Sequence, residues 1–503
     1  MSDVRSRDTN SELSVPQTLT APDVGLRVVR AATIRGGGYG LGMLFTAAAS
    51  VLLLRYLGVA DFGRYATVTS LVAIASGLSD AGLSAVAGRD LTLRARGEER
   101  RKLLGNFLGL RFVLTPLAAA VAVAFAAAAG YDTVLVAGTA LAGVGATLLV
   151  CQTATTLPLS VDLRIGRLTA SEVMKQATML VAIGVLVAVG AGLLPFFGIT
   201  IAVAAVGLAV TPSLVGSDFV WRPRFDRSEW RALIKEALPL SASVVFGVFY
   251  FRLLIVMMSL LASAVATGLF ATSFRIVEIL YGLAGLIATT ALPVLAVAAA
   301  DRVRLSYILQ RMTEAAVIGS CYLALIVAVL AEPLLHLLGG AQYEAAAPIL
   351  RIQVLALIPI FVTYVWQLAL VSVRRQSAMI LSTGFALAVG LATGLSLIPA
   401  YGARGAAIAA VAAEVAGVLC LAVILWRQGE RLLPDFRFLW KPAAASALGA
   451  AVAFPTELPA ALAAVAATLL YVGVLALTKA VPTEVRDAFL PYGRLWNQNN
   501  PQP

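Results

Sequence analysis

Charge is scarce in this sequence: 13% of its 503 residues are Asp, Glu, Lys or Arg, about half the roughly 25% of an ordinary soluble domain. That excludes a soluble fold of this length. Histidine is almost absent, and the one present, His336, falls near the end of an apolar run, which leaves no basis for histidine-centred catalysis. Cysteine is equally sparse. Cys151, Cys321 and Cys420 each sit inside an apolar stretch with no CxxC spacing, so neither a disulfide framework nor a zinc site is expected. No Gly-Lys pair occurs anywhere. A phosphate-cradling loop ending in Gly-Lys-Ser/Thr is therefore missing, and bound nucleotide is not the energy source. No cofactor of any kind is expected.

What fills the space is hydrocarbon: 60% of the residues are apolar. A bilayer core about 30 Å thick needs roughly 20 apolar residues per helical span. Windows of that kind occur at 36–56, 62–85, 107–129, 133–156, 171–192, 195–214 and 237–261. They recur at 267–292, 315–335, 345–372, 378–398, 404–425, 440–455 and 458–478, the thirteenth being short. The expectation is an all-α integral membrane protein of about fourteen helices. Met1 to Val24 is polar and lacks an apolar core, so it reads as a cytoplasmic tail and not as a signal peptide.

The net charge of +11 would suggest nucleic acid if it formed one patch, but its distribution follows membrane orientation. With the N-terminus inside, cytoplasmic loops and adjoining helix ends hold 32 of the 38 basic residues. Arg55, Arg64, Arg351 and Arg404 are left at outer helix ends, and Arg252 and Arg275 within helices. Both termini are then cytoplasmic, and no nucleic-acid partner is expected.

Two landmarks repeat at an offset of about 205 residues. Gly63-Arg64-Tyr65-Ala66-Thr67 matches Gly268-Leu269-Phe270-Ala271-Thr272, and Leu194-Pro195-Phe196-Phe197-Gly198 matches Ile398-Pro399-Ala400-Tyr401-Gly402. An even number of helices separates the copies, so the halves should be parallel repeats about an axis along the membrane normal, with substrate between them. The boundaries that follow are a tail at 1–30, a first lobe of six helices at 31–216, a cytoplasmic linker at 217–236, a second lobe of six at 237–426, two accessory helices at 427–480 and a tail at 481–503.

Ionisable groups inside apolar helices are costly and usually face a cavity or a partner. Arg252 falls ~22 Å into the seventh span and Arg275 ~12 Å into the eighth, which runs back, so the two reach similar depth. Unpaired, they would form a cationic site for phosphate or carboxylate. Glu278 shares the helical face of Arg275, and a structural ion pair is the alternative. Asp80, Glu414 and Glu314 are intramembrane carboxylates suited either to ion coupling or to local pairing. Arg35, Arg55, Arg64, Arg111 and Lys175 stand near helix ends, where long side chains snorkel to the interface.

The passage Tyr56-Leu57-Gly58-Val59-Ala60-Asp61-Phe62-Gly63-Arg64-Tyr65, then Asp80-Ala81-Gly82-Leu83, resembles the start of the polysaccharide flippases of the multidrug/oligosaccharidyl-lipid/polysaccharide exporter superfamily. Leu238-Pro239-Leu240, Phe274-Arg275, Tyr343 to Arg351 and Ile398 to Ala407 extend the resemblance over residues 30 to 425. It implies two six-helix lobes in a V, two accessory helices, and a cationic cavity that takes a polyprenyl-diphosphate-linked oligosaccharide by alternating access in the cytoplasmic membrane. Carried over, it points to Arg35, Arg64 and Arg275 as cavity residues, and Arg252 is added on the residue reading above. Asp80, Glu278 and Glu414 are the candidates for ion coupling. Where the family often has an aspartate two positions after the seventh-helix arginine, this chain has Leu254. The expected partners are the lipid-linked glycan, the bilayer, and a glycan polymerase or glycosyltransferases. The alternatives are a cation-coupled small-molecule exporter, a membrane glycosyltransferase or ligase, and a non-transporting scaffold; no enzyme activity is expected.

Overall fold

The computed structural model describes residues 23–298, 301–373, 375, 377–427, 433–455 and 458–480, without the side chains of 23–36, 239, 240, 243, 286–294, 296 and 297. Both expected tails lie outside the described residues but for 23–30, which continue the first helix. Among the described residues all regular structure is helical. In chain order the helices are α1 (Asp23–Asp80), α2 (Leu83–Leu93), α3 (Glu98–Ala128), α4 (Thr133–Val161), α5 (Ile165–Ala188), α6 (Leu193–Phe197), α7 (Ile199–Val215) and α8 (Arg227–Leu261). Then follow α9 (Ala264–Ala298), α10 (Arg302–Val329), α11 (Ala331–Gly339), α12 (Ala347–Gln353), α13 (Leu357–Ser372), α14 (Ser377–Arg427), α15 (Trp440–Ala453) and α16 (Ala460–Leu477).

Among the described residues eleven stretches are long and apolar enough to cross a membrane. Two of them, of 44 and 51 residues, are broken inside, at Gly58 (φ 71°) in α1 and Gly402 (φ 54°) in α14. At 1.5 Å per residue those lengths are about 66 and 76 Å, twice a bilayer core or more, so each is two crossings joined at a glycine. A left-handed φ there favours glycine, which has no Cβ to clash. Side-chain contacts show the reversal in α1: Tyr56 donates to the Ala191 carbonyl at 2.7 Å beyond the end of α5, whereas Asp80 pairs with Arg111 back along α3. The expected thirteenth span is α15, whose 14 residues rise only ~21 Å, less than the bilayer core.

Several helices start earlier than hydropathy alone indicates. α3, α8 and α10 each begin with a charged turn, and two of the starts are capped by aspartate: Asp226 accepts from Ser228 N at 3.0 Å, and Asp301 from Val303 N at 2.9 Å. A capping oxygen satisfies backbone donors that a helix start leaves free. The expected linker at 217–236 is therefore half helix. Its first part is a strap on α3, in which Arg224 N donates to Gly105 O at 2.8 Å and Asp226 N to Asn106 Oδ1 at 2.9 Å, and Trp230 Nε1 in the first turn of α8 donates to Asn106 O at 3.0 Å.

The charged loops gather at one end of the bundle, the basic end, where Arg100 and Arg164 of the first half close on Asp162. The opposite, far end carries the matched motifs, and there the repeat becomes physical. A Cβ on Gly63 would collide with the Ala264 carbonyl and Gly268 N, and one on Gly268 with the Val59 carbonyl. Thr67 and Thr272 each donate to the carbonyl four residues back, in Gly63 and Gly268, at 2.9 and 2.8 Å. Equivalent groups thus face each other at the contact between halves. An apolar core with Leu54, Phe62, Phe270, Phe274 and Tyr343 surrounds this contact.

Candidate functional site

Beneath the glycine contact lies a cavity of about 170 Å³ between the halves, walled by both arms of α1 and by α5, α8 and α9. Arg275 and Glu278 line it from one face of α9, as their i,i+3 spacing requires. Arg252 enters from the neighbouring α8. Its Nη2 donates to Glu278 Oε1 at 2.8 Å, while Arg275 Nη1 donates to Glu278 Oε2 at 3.0 Å. One carboxylate therefore serves two guanidinium groups, one oxygen to each, and the cluster keeps a net charge of +1. Ser70, fully buried on the wall, has a hydroxyl with no hydrogen-bond partner. Tyr65 and Thr69 add further hydroxyls.

Ser50, Leu54 and Arg275 also line an adjoining, mainly apolar groove of about 620 Å³ between α1, α5 and α9. Charge and polar groups thus sit beside an apolar groove between the halves. Such a shape suits an amphiphile whose anionic part is held centrally.

The other expected site residues separate. Arg35 lies on α1, but its side chain is outside the described residues. Arg64 is at the far end, half-exposed, 3.3 Å from Asp61 and 3.7 Å from Asp132, and does not line the cavity. Asp80 pairs with Arg111 at 3.0 Å; Arg111 is buried instead of snorkelling, since the carboxylate from the neighbouring helix partners it inside the bundle. Glu314 is held by Arg311 at 2.9 Å and by Gln310 at 2.8 Å. Glu414 is buried elsewhere, beside a separate cavity of about 260 Å³ within the second half. Tyr250, Tyr281 and Tyr364 line the same cavity. Leu254 reaches a small adjoining cavity that Glu414 also lines. His336 is exposed on α11, with Nδ1 2.9 Å from Glu344 Oε1.

Outside the spans, one buried carboxylate organises the basic end. Asp162 lies 2.9 Å from Arg100, 3.4 Å from Arg164 and 3.6 Å from Arg96. Burial raises its pKa, but the Arg100 hydrogen bond and the three positive charges outweigh burial and hold it below the usual carboxylate value. Among the described residues no group of His, Cys, Asp and Glu could hold a metal ion.

Reading residue by residue missed Ser70, Tyr65 and Thr69, which carry no charge to mark them, and the Arg252–Glu278 bond, whose partners are 26 positions apart. The Gly63–Thr67 repeat was the available signal for the first group, because it located the contact above the cavity.

A family model described as polysaccharide biosynthesis protein matches residues 28–299, more than half of the chain. Among solved structures, the lipid II flippase MurJ in an inward closed conformation superposes with TM-score 0.74 at 14% identity, over 90% of this chain and 98% of that one. An inward-facing multidrug resistance MATE transporter of the MOP superfamily gives TM-score 0.62 at 14% identity, over 77% and 94%. A MOP superfamily transporter from Pyrococcus furiosus, described as having reversed binding-pocket polarity, gives 0.55 at 15% identity, over 80% and 95%. No curated protein matches the sequence. At such identities the likeness is one of fold.

Proposed function

Because the chain belongs to the polysaccharide biosynthesis protein family, we propose that it is a flippase that moves a polyprenyl-diphosphate-linked oligosaccharide across the cytoplasmic membrane by alternating access, without covalent change. The observation that carries this reading is the convergence of Arg252 and Arg275 on one cavity between the halves, joined to an apolar groove. Guanidinium groups match diphosphate oxygens in pairs, and the groove accommodates a lipid tail. The basic end is cytoplasmic, as positive loops stay inside. Glu414, buried away from the cargo, is the carboxylate suited to carry a coupling ion, since Asp80 is committed to Arg111.

The test is binding of undecaprenyl diphosphate to purified Arg252→Ala and Arg275→Ala, with export of lipid-linked glycan measured in cells. Each change is expected to weaken binding at least roughly tenfold and to stop export, while abundance in the membrane stays near normal. Lys in place of either arginine recovers only part of the loss, since an ammonium lacks the planar fork. Full export by both Ala variants at normal abundance would refute the cationic-site reading.

A further inference from the structure

The Arg252–Glu278–Arg275 cluster poses a problem that the proposed transport reading, on which this inference rests, leaves open. A carrier that delivers its cargo to one side must return without it, and on the way it must close its cavity. In the conformation described, the halves touch at both ends: through Gly63, Gly268 and Val59 at the far end, and through Arg94 on Glu229 and Arg89 on Glu236 at the basic end. The space left around the cluster is about 170 Å³, below the roughly 300 Å³ of the smaller pockets that surround a drug-sized ligand, while the apolar groove beside it stays open. The halves therefore meet in this state with the protein's own side chains between them. Two guanidinium groups this close, 28% and 34% accessible, would repel each other if unpaired and would lose part of their hydration without compensation.

Glu278 supplies the missing anion. Its two oxygens are divided between Arg252 and Arg275, at 2.8 and 3.0 Å, which is the manner in which one phosphoryl group offers separate oxygens to two arginines. The side chains of all three remain partly accessible, 24 to 34%, so an incoming anion can reach the guanidinium groups. We infer that Glu278 is a built-in stand-in for the cargo's diphosphate: it yields the arginines to the cargo on the loaded leg and reclaims them on the empty leg, which lets the carrier return unloaded. Glu278 is thus a positioning residue for the return step. A carboxylate on the same helix as Arg275 is always in reach, whereas Arg252 on α8 is bridged only when α8 and α9 are packed as here.

The experiment separates net movement from exchange. Purified protein is placed in lipid vesicles with a fluorescent undecaprenyl-diphosphate disaccharide in one leaflet. The opposite leaflet contains either no carrier lipid, so that the protein must return empty, or the unlabelled compound, so that it returns loaded. Wild type is expected to support both. Glu278→Gln is expected to lower net movement at least roughly tenfold while exchange stays within about twofold, because only the empty leg needs the carboxylate. Glu278→Asp keeps the charge and is expected to retain net movement above the Gln variant. Equal loss of both activities in Glu278→Gln, or unchanged net movement, would overturn the inference. If Glu278→Gln does not accumulate, Glu278→Asn takes its place with both arginines intact, and net movement should again fall below exchange, equal rates being the refuting result. A wild-type protein that moves the compound in neither format would defeat the transport reading itself, which is a different outcome from either of these.

Discussion

At the far end the halves meet through backbone, Gly63 against Ala264 and Gly268 against Val59, with rings such as Phe62 and Phe270 packed around them. At the basic end they meet through side-chain charge, with Arg94 on Glu229 at 2.9 Å, Arg89 on Glu236, and Lys102 between Asp226 and Glu229 at 3.5 and 3.8 Å. A backbone contact depends on shape and ignores salt, whereas partly exposed ion pairs are weak and screened. The comparison implies that the two closures respond to different perturbations and are separately breakable. It also divides the charges of the basic end by depth: Asp162, 5% exposed, braces the first half from within, and the pairs between halves lie nearer the surface.

The largest effect is expected at that brace. Asp162→Ala leaves three arginines around a buried vacancy, and removal of one partner from a buried pair costs roughly 3–5 kcal/mol. The folded pKa of Asp162 is depressed. Its contribution is therefore complete above the unfolded value of ~3.9 and is lost as the pH falls through the lower folded value. Thermal unfolding of the detergent-purified protein, followed from pH 7 downward, should show Asp162→Ala and wild type converging only in strong acid. Convergence at pH 5 to 6 would contradict the assignment.

Next comes the far end. Gly268→Val puts a branched side chain onto the Val59 carbonyl, and overpacking of this kind costs about 1–3 kcal/mol. Here the cost falls on the contact between the halves. A single cysteine at Ala66, which lines the cavity beneath this contact, in otherwise cysteine-free protein should resist a thiol reagent, and adding a bulky residue at Gly63 should make it reactive at any ionic strength. An unreactive Ala66→Cys in the Gly63→Val background would mean that this end does not close as described.

How much of this was legible in the sequence differs between the same two regions. The glycine contact was announced by the repeat of Gly63–Thr67 at Gly268–Thr272, because a close approach leaves a mark on residue type. Positions of helices were also legible, since each apolar window overlaps a helix, though several run past its end, as 171–192 does beyond Ala188. Helix starts were not: hydropathy averages away charged first turns such as Arg227 to Glu236, whose helical state depends on the Asp226 cap and on docking against α3. Arg252 and Arg275 were found because a charge in an apolar run is conspicuous. Their shared carboxylate was half visible, through the spacing of Arg275 and Glu278, but the bond from Arg252 depends on how α8 packs on α9. Arg64 was placed by resemblance, and the structure sets it at the far end with Asp61 and Asp132.

The smallest effect sharpens the comparison most. The side chains of Arg94 and Glu229 are 28% and 17% exposed, so their coupling belongs near the range of partly exposed pairs, roughly 0.2–1 kcal/mol, and salt should diminish it. A double-mutant cycle with Arg94→Ala and Glu229→Ala, read by solvent accessibility of a cysteine on the basic-end side of the cavity, isolates that term from other effects of each change. Lys102 is 3.8 Å from the same carboxylate, so the cycle is run with Lys102 intact and again with Lys102→Ala. Raising the salt from about 0.05 to 0.5 M shortens the screening length from roughly 14 to 4 Å and should bring the coupling toward zero. It should leave the protection of a cysteine at Ala66 unaffected, because no charge takes part in the glycine contact above it. If salt opened both ends equally, the halves would be held by one global electrostatic attraction, and the division between a shape-closed end and a charge-closed end would be wrong.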